Sequence, residues 1–290
     1  MIDSTFEKAY AKLNLSLDVL SKMDDGYHDM KMVFQTISLC DDVEISIHEG
    51  TESSISTNLK YLPCDASNIA VKAANAFFKA AGISGYSAGI RLTKRIPVCA
   101  GMGGGSSDGA AVLRGLNRCF DYPLSVRDLV TISRGIGADV PFCVVGGTAL
   151  GCGRGEVLTE LSPLPDCCFV VCKPKFSVST PELFKRIDCK KIALRPDTDG
   201  IIAALNSGDI YGVSRRLYNV FEDVLPRGKE DVEEIKFSLL DFGALGAAMT
   251  GTGSAVFGIF DSESKAKSAF GVLSKSYNDC FYAKPVNKIQ

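Results

Sequence analysis

RIPVCAGMGGGSSDGAAVL, residues 95–113, decides how the rest of the chain is read. A strand end and a proline lead into four glycines within five residues, then two serines and a helical pattern. Backbone N–H groups free of side chains, aimed from a helix N-terminus, make an anion site of the kind that holds phosphates. A merely flexible surface loop has no need to end in capping serines and a good helix former. No lysine follows the glycines, so G-x-x-x-x-G-K-[ST] is absent, and Ser106 stands where Gly101 and Gly103 would require a third glycine for G-x-G-x-x-G. The common P-loop and dinucleotide readings both fail.

Working outward toward the N-terminus, AKLNLSLDVL, MKMVFQTISL and VEISIH alternate with the period of half-buried strands. Residues 67–82, SNIAVKAANAFFKAAG, predict a capped amphipathic helix ending at a glycine, and GIRLTK a further strand. A helix is expected to open at Ser106 or Ser107, and another after Ser125, with Asp128 three residues on. PFCVVGG, TALGCG and CCFVVC read as strands. Beyond residue 175, STPELFKRI, DIYGVSRRLYNVFEDVL, KEDVEEIKFSLLDFG and ESKAKSAFGVLSKS read as helices, with strands ALGAAMT, SAVFGIF and NDCFYAKP. The second half is therefore an α+β domain with an antiparallel sheet.

Composition narrows the function. The 290 residues suffice for two domains, with 46% hydrophobic residues for their cores. A net charge of −2 offers no basic field for nucleic acid. Eleven cysteines are an odd number with no C-x-x-C, and MIDSTFEK lacks the basic and apolar regions of a secretion signal, so a reducing, cytoplasmic location is expected. Cys167, Cys168 and Cys172 lie in an apolar run where thiols act as small core hydrophobes. Two histidines, His28 and His48, show no zinc spacing, and no G-x-S-x-G elbow supports a serine hydrolase. Residues 242–260 carry no charge, but five glycines and three hydroxyls argue for two buried strands around a glycine turn rather than a membrane span.

An unusual cluster occupies the first hairpin. Lys12 and Asn14 share the inward face of a strand that runs into Asp24-Asp25-Gly26 and delivers Tyr27 beside His28. A lysine at an inward strand position is costly alone, so a carboxylate partner is expected.

The loop P-x-x-x-G-[LM]-G-G-G-S-S resembles the ATP loop of the GHMP small-molecule kinases, and A-x-A-K-L-N-L (Ala9 to Leu15) and G-T-G-S-A (Gly251 to Ala255) follow the same family in order and position. D-G-Y-H at 25–28, G-G-G-S-S at 103–107 and G-A-D-V-P-F at 137–142 are similar to the members that act on a cytidine-diphosphate-linked polyol, and the resemblance covers nearly the whole chain. It implies a two-domain α+β GHMP kinase fold: an N-terminal ribosomal-S5-like β/α domain over residues 1–165 and a C-terminal ferredoxin-like α+β domain over 166–290. It also implies ATP-dependent phosphorylation of the 2-hydroxyl of a methylerythritol moiety in the non-mevalonate route to isoprenoids.

Residue by residue, the resemblance assigns ATP to Pro97, Val98, Cys99, Ala100, Gly101, Met102, Gly103, Gly104, Gly105, Ser106 and Ser107. Asp139 becomes the carboxylate that takes the acceptor's proton, with Lys12 favouring its ionised form and steadying charge on the oxygen. Tyr27 and Phe184 would hold the cytosine ring and His28 read its edge. Asn14, Thr180, Thr252 and Gly253 complete the substrate set. Mg2+ is expected with ATP, Ser106 or Ser107 being the candidate ligand and Glu156 a weaker one. The partner is then a small molecule, with neither nucleic acid nor membrane, for a monomer or homodimer.

Three departures stand out: Tyr10 where the family usually has Pro, Asp108 where it has Asn, and Asn219-Val220-Phe221-Glu222 for N-D-L-E. Asp108 adds an unhelpful charge near phosphates unless it caps the helix or meets the metal. Competing readings are a kinase for another small alcohol, which needs no base pocket, and a silent nucleotide-binding module, which needs neither Lys12 nor Asp139.

Overall fold

Two long strands thread the molecule. The computed structural model describes residues 3–188, 192 and 194–289. Strands β1 (Ser4–Lys22) and β2 (His28–Glu49) are the axis of a seven-stranded sheet. Two stretches expected as separate strands, MKMVFQTISL and VEISIH, are one continuous β2, because Cys40-Asp41-Asp42 stays extended between them. The chain divides into two compact units, one built of residues 1–11, 40–98 and 103–145, the other of 12–39, 99–102 and 146–290.

In the first unit, the distal part of β2 pairs antiparallel with β4 (Tyr86–Thr93), which pairs parallel with the short β3 (Ser54–Thr57). Helices α1 (Ile69–Ala81), α2 (Gly104–Cys119), α3 (Val126–Ser133) and α4 (Val140–Val145) pack on one another. Helix α1 follows its sequence signals: Asn68 accepts from the Ala70 N–H, and Gly82 ends it at φ 65°. Its Phe77 is fully buried, worth roughly 2–3 kcal/mol of transfer free energy. Helix α3 carries the full capping box between Ser125 and Asp128.

Two expectations are corrected here. PFCVV is not a strand but α4, where Pro141 fits the first turn and packing against α2 and α3 overrides the β-branched composition. Helix α2 begins at Gly104, with Gly103 at φ 69° as its cap, so Ser106 and Ser107 lie inside the first turn instead of capping it.

In the second unit, the proximal part of β2 pairs with β5 (Thr148–Gly153), which pairs with β6 (Val157–Glu160). A separate antiparallel sheet has the order β11-β7-β10-β9, from β7 (Cys168–Lys173), β9 (Gly246–Met249), β10 (Val256–Phe260) and β11 (Asp279–Ala283). Helices α8 (Lys229–Asp241) and α9 (Glu263–Leu273) cover it. Residues 242–260 contain two paired strands, β9 and β10, around a glycine turn, and no helix among the described residues is long and apolar enough to cross a membrane. Helices α5 (Thr180–Asp188) and α6 (Thr198–Asn206) precede the sheet's later strands.

DIYGVSRRLYNVFEDVL is not one helix. It breaks into α7 (Ile210–Ser214), the two-residue β8 (Tyr218–Asn219) paired with Ser16 and Leu17 of β1, and a 3-10 turn at Val220–Val224. The buried Asn219 causes the break: its side chain accepts from the Phe221 N–H and donates to the carbonyls of Met249 and Gly251.

Candidate active site

Glycine geometry builds the second unit's share of the site. Gly101 has φ 75°, and a Cβ there would lie 2.1 Å from the Thr250 carbonyl oxygen. Gly251, at φ 57°, would meet the Gly101 carbonyl oxygen at 2.6 Å. Only residues without side chains let the 99–102 segment and the 250–254 turn approach backbone to backbone. The contact is closed by the Ala255 N–H donating to the Ala100 carbonyl at 3.2 Å. Cys99, exposed, also adopts a left-handed φ of 54°.

Lys12 and Asn14 come to this same loop. The Lys12 N–H donates to the Met102 carbonyl at 3.0 Å, and the Asn14 N–H to the Thr250 hydroxyl at 3.0 Å. Lys12 is buried; its ammonium donates to Asn14 Oδ1 at 2.7 Å and lies 5.5 Å from the centre of the Phe34 ring. Thr180 and Thr252, read separately in the sequence, are brought together with their hydroxyls 2.9 Å apart. Gly253, at φ 81°, abuts Met249.

The hairpin turn is built by local bonds: Tyr27 N–H to Asp25 Oδ1 at 3.0 Å and Met23 N–H to the Tyr27 carbonyl at 2.8 Å. Its two rings diverge. Tyr27 is exposed, with the Arg154 guanidinium 3.7 Å from its ring centre. His28 is buried and stacks on Phe184, ring centres 4.5 Å apart. His28 Nε2–H donates to Asp188 Oδ1 at 2.7 Å, and Lys22 donates to the other oxygen at 2.6 Å. Hydrogen bonds from Lys22 first, and His28 second, hold the Asp188 carboxyl below its ordinary pKa. With Nε2 committed as donor, a neutral His28 presents Nδ1 as an acceptor. Phe184 also meets Phe221 edge to face at 5.1 Å.

In the first unit, α2 carries Gly104, Gly105, Ser106 and Ser107 on its first turn. Ser107 is buried, and its hydroxyl donates to the Tyr10 carbonyl at 2.6 Å. Half-buried Asp139 stands just before α4, its carbonyl accepting the Cys143 N–H at 3.1 Å. The other end of α4 is pinned by Arg114, whose guanidinium donates to the Cys143 carbonyl at 2.8 Å and the Lys8 carbonyl at 3.0 Å.

Asp108 does not cap the helix but meets a buried ammonium. Its Oδ2 lies 2.5 Å from the Lys94 ammonium, which lies 2.5 Å from Asp41 Oδ2 as well. All three side chains are buried. Burial pushes the Asp108 carboxyl up to about 7; Lys94 counters this, and the second carboxylate, Asp41, adds to it. Burial alone would lower Lys94, but Asp108 and Asp41 outweigh it and hold the ammonium above its ordinary pKa.

Among the described residues there is no group of three or more His, Cys, Asp and Glu placed for a metal. The Ser107 hydroxyl is engaged by Tyr10, and Glu156 Oε2 accepts the Arg154 N–H at 2.7 Å within its own turn. Sequence reasoning did not find Thr250, Asp188, Arg114 or Arg154. Only Thr250 left a signal, as the hydroxyl next to G-T-G-S-A.

Comparison with known proteins follows the same lines. The family model for the N-terminal domain of GHMP kinases matches residues 68–147, and that for their C-terminal region matches 201–279. A 4-diphosphocytidyl-2-C-methyl-D-erythritol kinase of Clostridium kluyveri is 44% identical over 281 residues, covering 96% of this chain and 99% of the relative. One from Alkaliphilus metalliredigens is 42% identical over 270 residues, 93% of this chain and 92% of the relative. A crystal structure of 4-(cytidine 5'-diphospho)-2C-methyl-D-erythritol kinase matches at TM-score 0.79 and 31% identity, over 97% of this chain and 99% of that one. A homoserine kinase structure from Cytophaga hutchinsonii also reaches 0.79, at 21% identity over 100% and 96% of the chains, a likeness of fold alone.

Proposed function

The chain belongs to the GHMP kinase family and is a small-molecule kinase, and from that premise we propose that it moves the γ-phosphoryl group of ATP to the 2-hydroxyl of 4-diphosphocytidyl-2-C-methyl-D-erythritol. The product is the 2-phosphate, within the non-mevalonate route to isoprenoids. One observation carries the choice of acceptor: identity of 44% along nearly the full length of a relative with that name. Fold does not make the choice, since the homoserine kinase fits equally well in TM-score. The two family matches fall on either side of residue 165, in keeping with sequence domains 1–165 and 166–290, whereas in the fold residues 12–39 and 99–102 cluster with 146–290.

Phosphoryl transfer depends chiefly on positioning and charge, with little covalent work for the protein. On this reading the segment from Pro97 to Met102 and the first turn of α2, Gly103 to Ser107, hold ATP, the triphosphate lying on the backbone N–H groups of Gly103 to Ser106 at a positive helix end. Asp139 takes the proton of the acceptor hydroxyl, worth roughly 10²–10⁴-fold in rate. Lys12 steadies the charge that develops on that oxygen, while Asn14 holds the ammonium in place. Ser106 or Ser107 would be the protein's ligand to a bound Mg2+, which would offset the charge of the ATP phosphates.

Cytosine recognition falls to Tyr27, His28 and Phe184. Tyr27 and Phe184 hold the ring, and His28, kept by Asp188 through Nε2, offers Nδ1 to the base's amino group. Thr180 and Thr252, already paired, line the diphosphate and ribose side with Gly253. The enzyme works in the cytoplasm as a monomer or homodimer.

The test is ADP release by the purified chain with Mg-ATP, offering the cytidyl compound beside galactose, homoserine and mevalonate. Turnover on the cytidyl compound alone is expected. Turnover on another acceptor would keep the kinase and sink the base pocket.

A further inference from the structure

The loop 95–107 leaves a strand and re-enters a helix, and within the first unit both of its ends are tied to one buried ammonium. Lys94, on the strand side, is fixed by backbone and side chain alike. Its N–H donates to Asn58 Oδ1 at 2.8 Å, its carbonyl accepts from Asn58 Nδ2 at 3.2 Å, and its ammonium meets Asp41 and Asp108 at 2.5 Å each. Asp41 secures the next residues: its Oδ1 accepts the N–H groups of Arg95 and Ile96, the latter at 2.8 Å. On the helix side, a Cβ on Gly104 would lie 3.1 Å from Ile96 Cγ2 and 3.4 Å from Lys94 Nζ, so the first turn of α2 rests directly on this segment. Asp108, one turn further, holds it there through its 2.5 Å contact with that ammonium.

We infer that Asp108 is a positioning residue for nucleotide binding. Through Lys94 it locks the first turn of α2 onto residues 94–96 and so sets where the N–H groups of Gly103 to Ser106 point. This rests on the reading of the glycine loop as the triphosphate site. Asparagine, which the family resemblance leads one to expect here, offers Lys94 one acceptor oxygen and an amide in place of the second, so it keeps part of the clamp. The cluster also carries one cation and two carboxylates, a surplus that fold stability alone does not explain. Deleting Asp108 leaves a balanced Lys94–Asp41 pair, whereas deleting Lys94 leaves two buried carboxylates facing each other.

That asymmetry makes Asp108 the residue to change. Wild type, Asp108→Asn and Asp108→Ala are compared by KM for ATP, KM for the cytidyl acceptor, thermal midpoint, and calorimetric binding of a non-hydrolysable ATP analogue. Asp108→Ala is expected to raise the ATP KM and the analogue Kd about tenfold, leaving the acceptor KM within twofold and the protein folded. Asp108→Asn falls between Ala and wild type. An ATP KM within twofold of wild type in Asp108→Ala, or equal rises in both KM values, overturns the inference. If wild type itself fails to bind the analogue, the reading of the loop falls with it; if wild type binds and Asp108→Ala binds equally well, only the positioning role falls.

Discussion

Gly101→Ala and Gly26→Ala separate two costs that glycine usually conceals together. Both positions have left-handed backbone, φ 75° and 84°. At Gly26 a Cβ would meet nothing within 4 Å, so alanine there bears only the conformational cost, about 1–2 kcal/mol. At Gly101 the same Cβ would stand 2.1 Å from the Thr250 carbonyl oxygen and 3.0 Å from the Gly253 nitrogen. These are backbone atoms and cannot rotate aside. The Ala100 to Ala255 hydrogen bond must lengthen, and the shift adds roughly 1–3 kcal/mol of the kind overpacking produces. The expected total is about 2–5 kcal/mol for Gly101→Ala, against about 1–2 for Gly26→Ala. Urea unfolding followed by circular dichroism measures both, with the slope checked for constancy. Equal losses in the two variants would show that the two loops do not interlock as described.

Further outcomes follow from other parts of the molecule. Asp139→Asn is expected to lower turnover at least about 100-fold while both substrates still bind by calorimetry; near-normal turnover rejects it as the base. Asn219→Ala removes three hydrogen bonds from a buried side chain and strands the carbonyls of Met249 and Gly251, at about 2–4 kcal/mol in urea unfolding; a loss under about 1 kcal/mol contradicts the bracing role. Asp108, with its carboxyl pushed up to about 7 in the fold, is favoured there in the protonated form. Its contribution to stability is complete below about pH 4 and is lost as pH rises toward 7, with a ceiling of about 4 kcal/mol. Between pH 5 and pH 8 wild type should therefore lose stability relative to Asp108→Asn, and parallel curves would refute this.

Local signals carried far in this chain, and packing carried the rest. Helix α1 was legible because its apolar period, Asn68 and Gly82 all agree, and α3 because Ser125 and Asp128 form a closed box. Helix α4 was not, since Val-Pro-Phe-Cys-Val-Val has strand composition and becomes helical only against α2 and α3. The break at Asn219 was hidden because its partners, Met249 and Gly251, lie 30 and 32 residues away.

The site divides the same way. Gly101, Lys12, Asn14 and Thr252 sit in short motifs that resemble those of the family, and the resemblance named them from the sequence. Asp188 was not, because the bond that gives it meaning reaches His28 across 160 residues. Asp108 stands out in the sequence as a misplaced charge, but its partner Lys94 sits beside Arg95 with nothing local to show which of the two turns inward. In the fold Lys94 turns inward to Asp41 and Asp108, while Arg95 turns out to Asp42.

The most direct test of the central claim is the proton-coupled phosphorus NMR spectrum of the product made from Mg-ATP and the cytidyl substrate. The carbon bearing the 2-hydroxyl carries a methyl group and no hydrogen, so a phosphate placed there gives a monoester singlet while the diphosphate signals persist. That singlet is the predicted result. A doublet or triplet would place the phosphate on a different hydroxyl, and loss of the diphosphate signals would mean a different reaction; either contradicts the account.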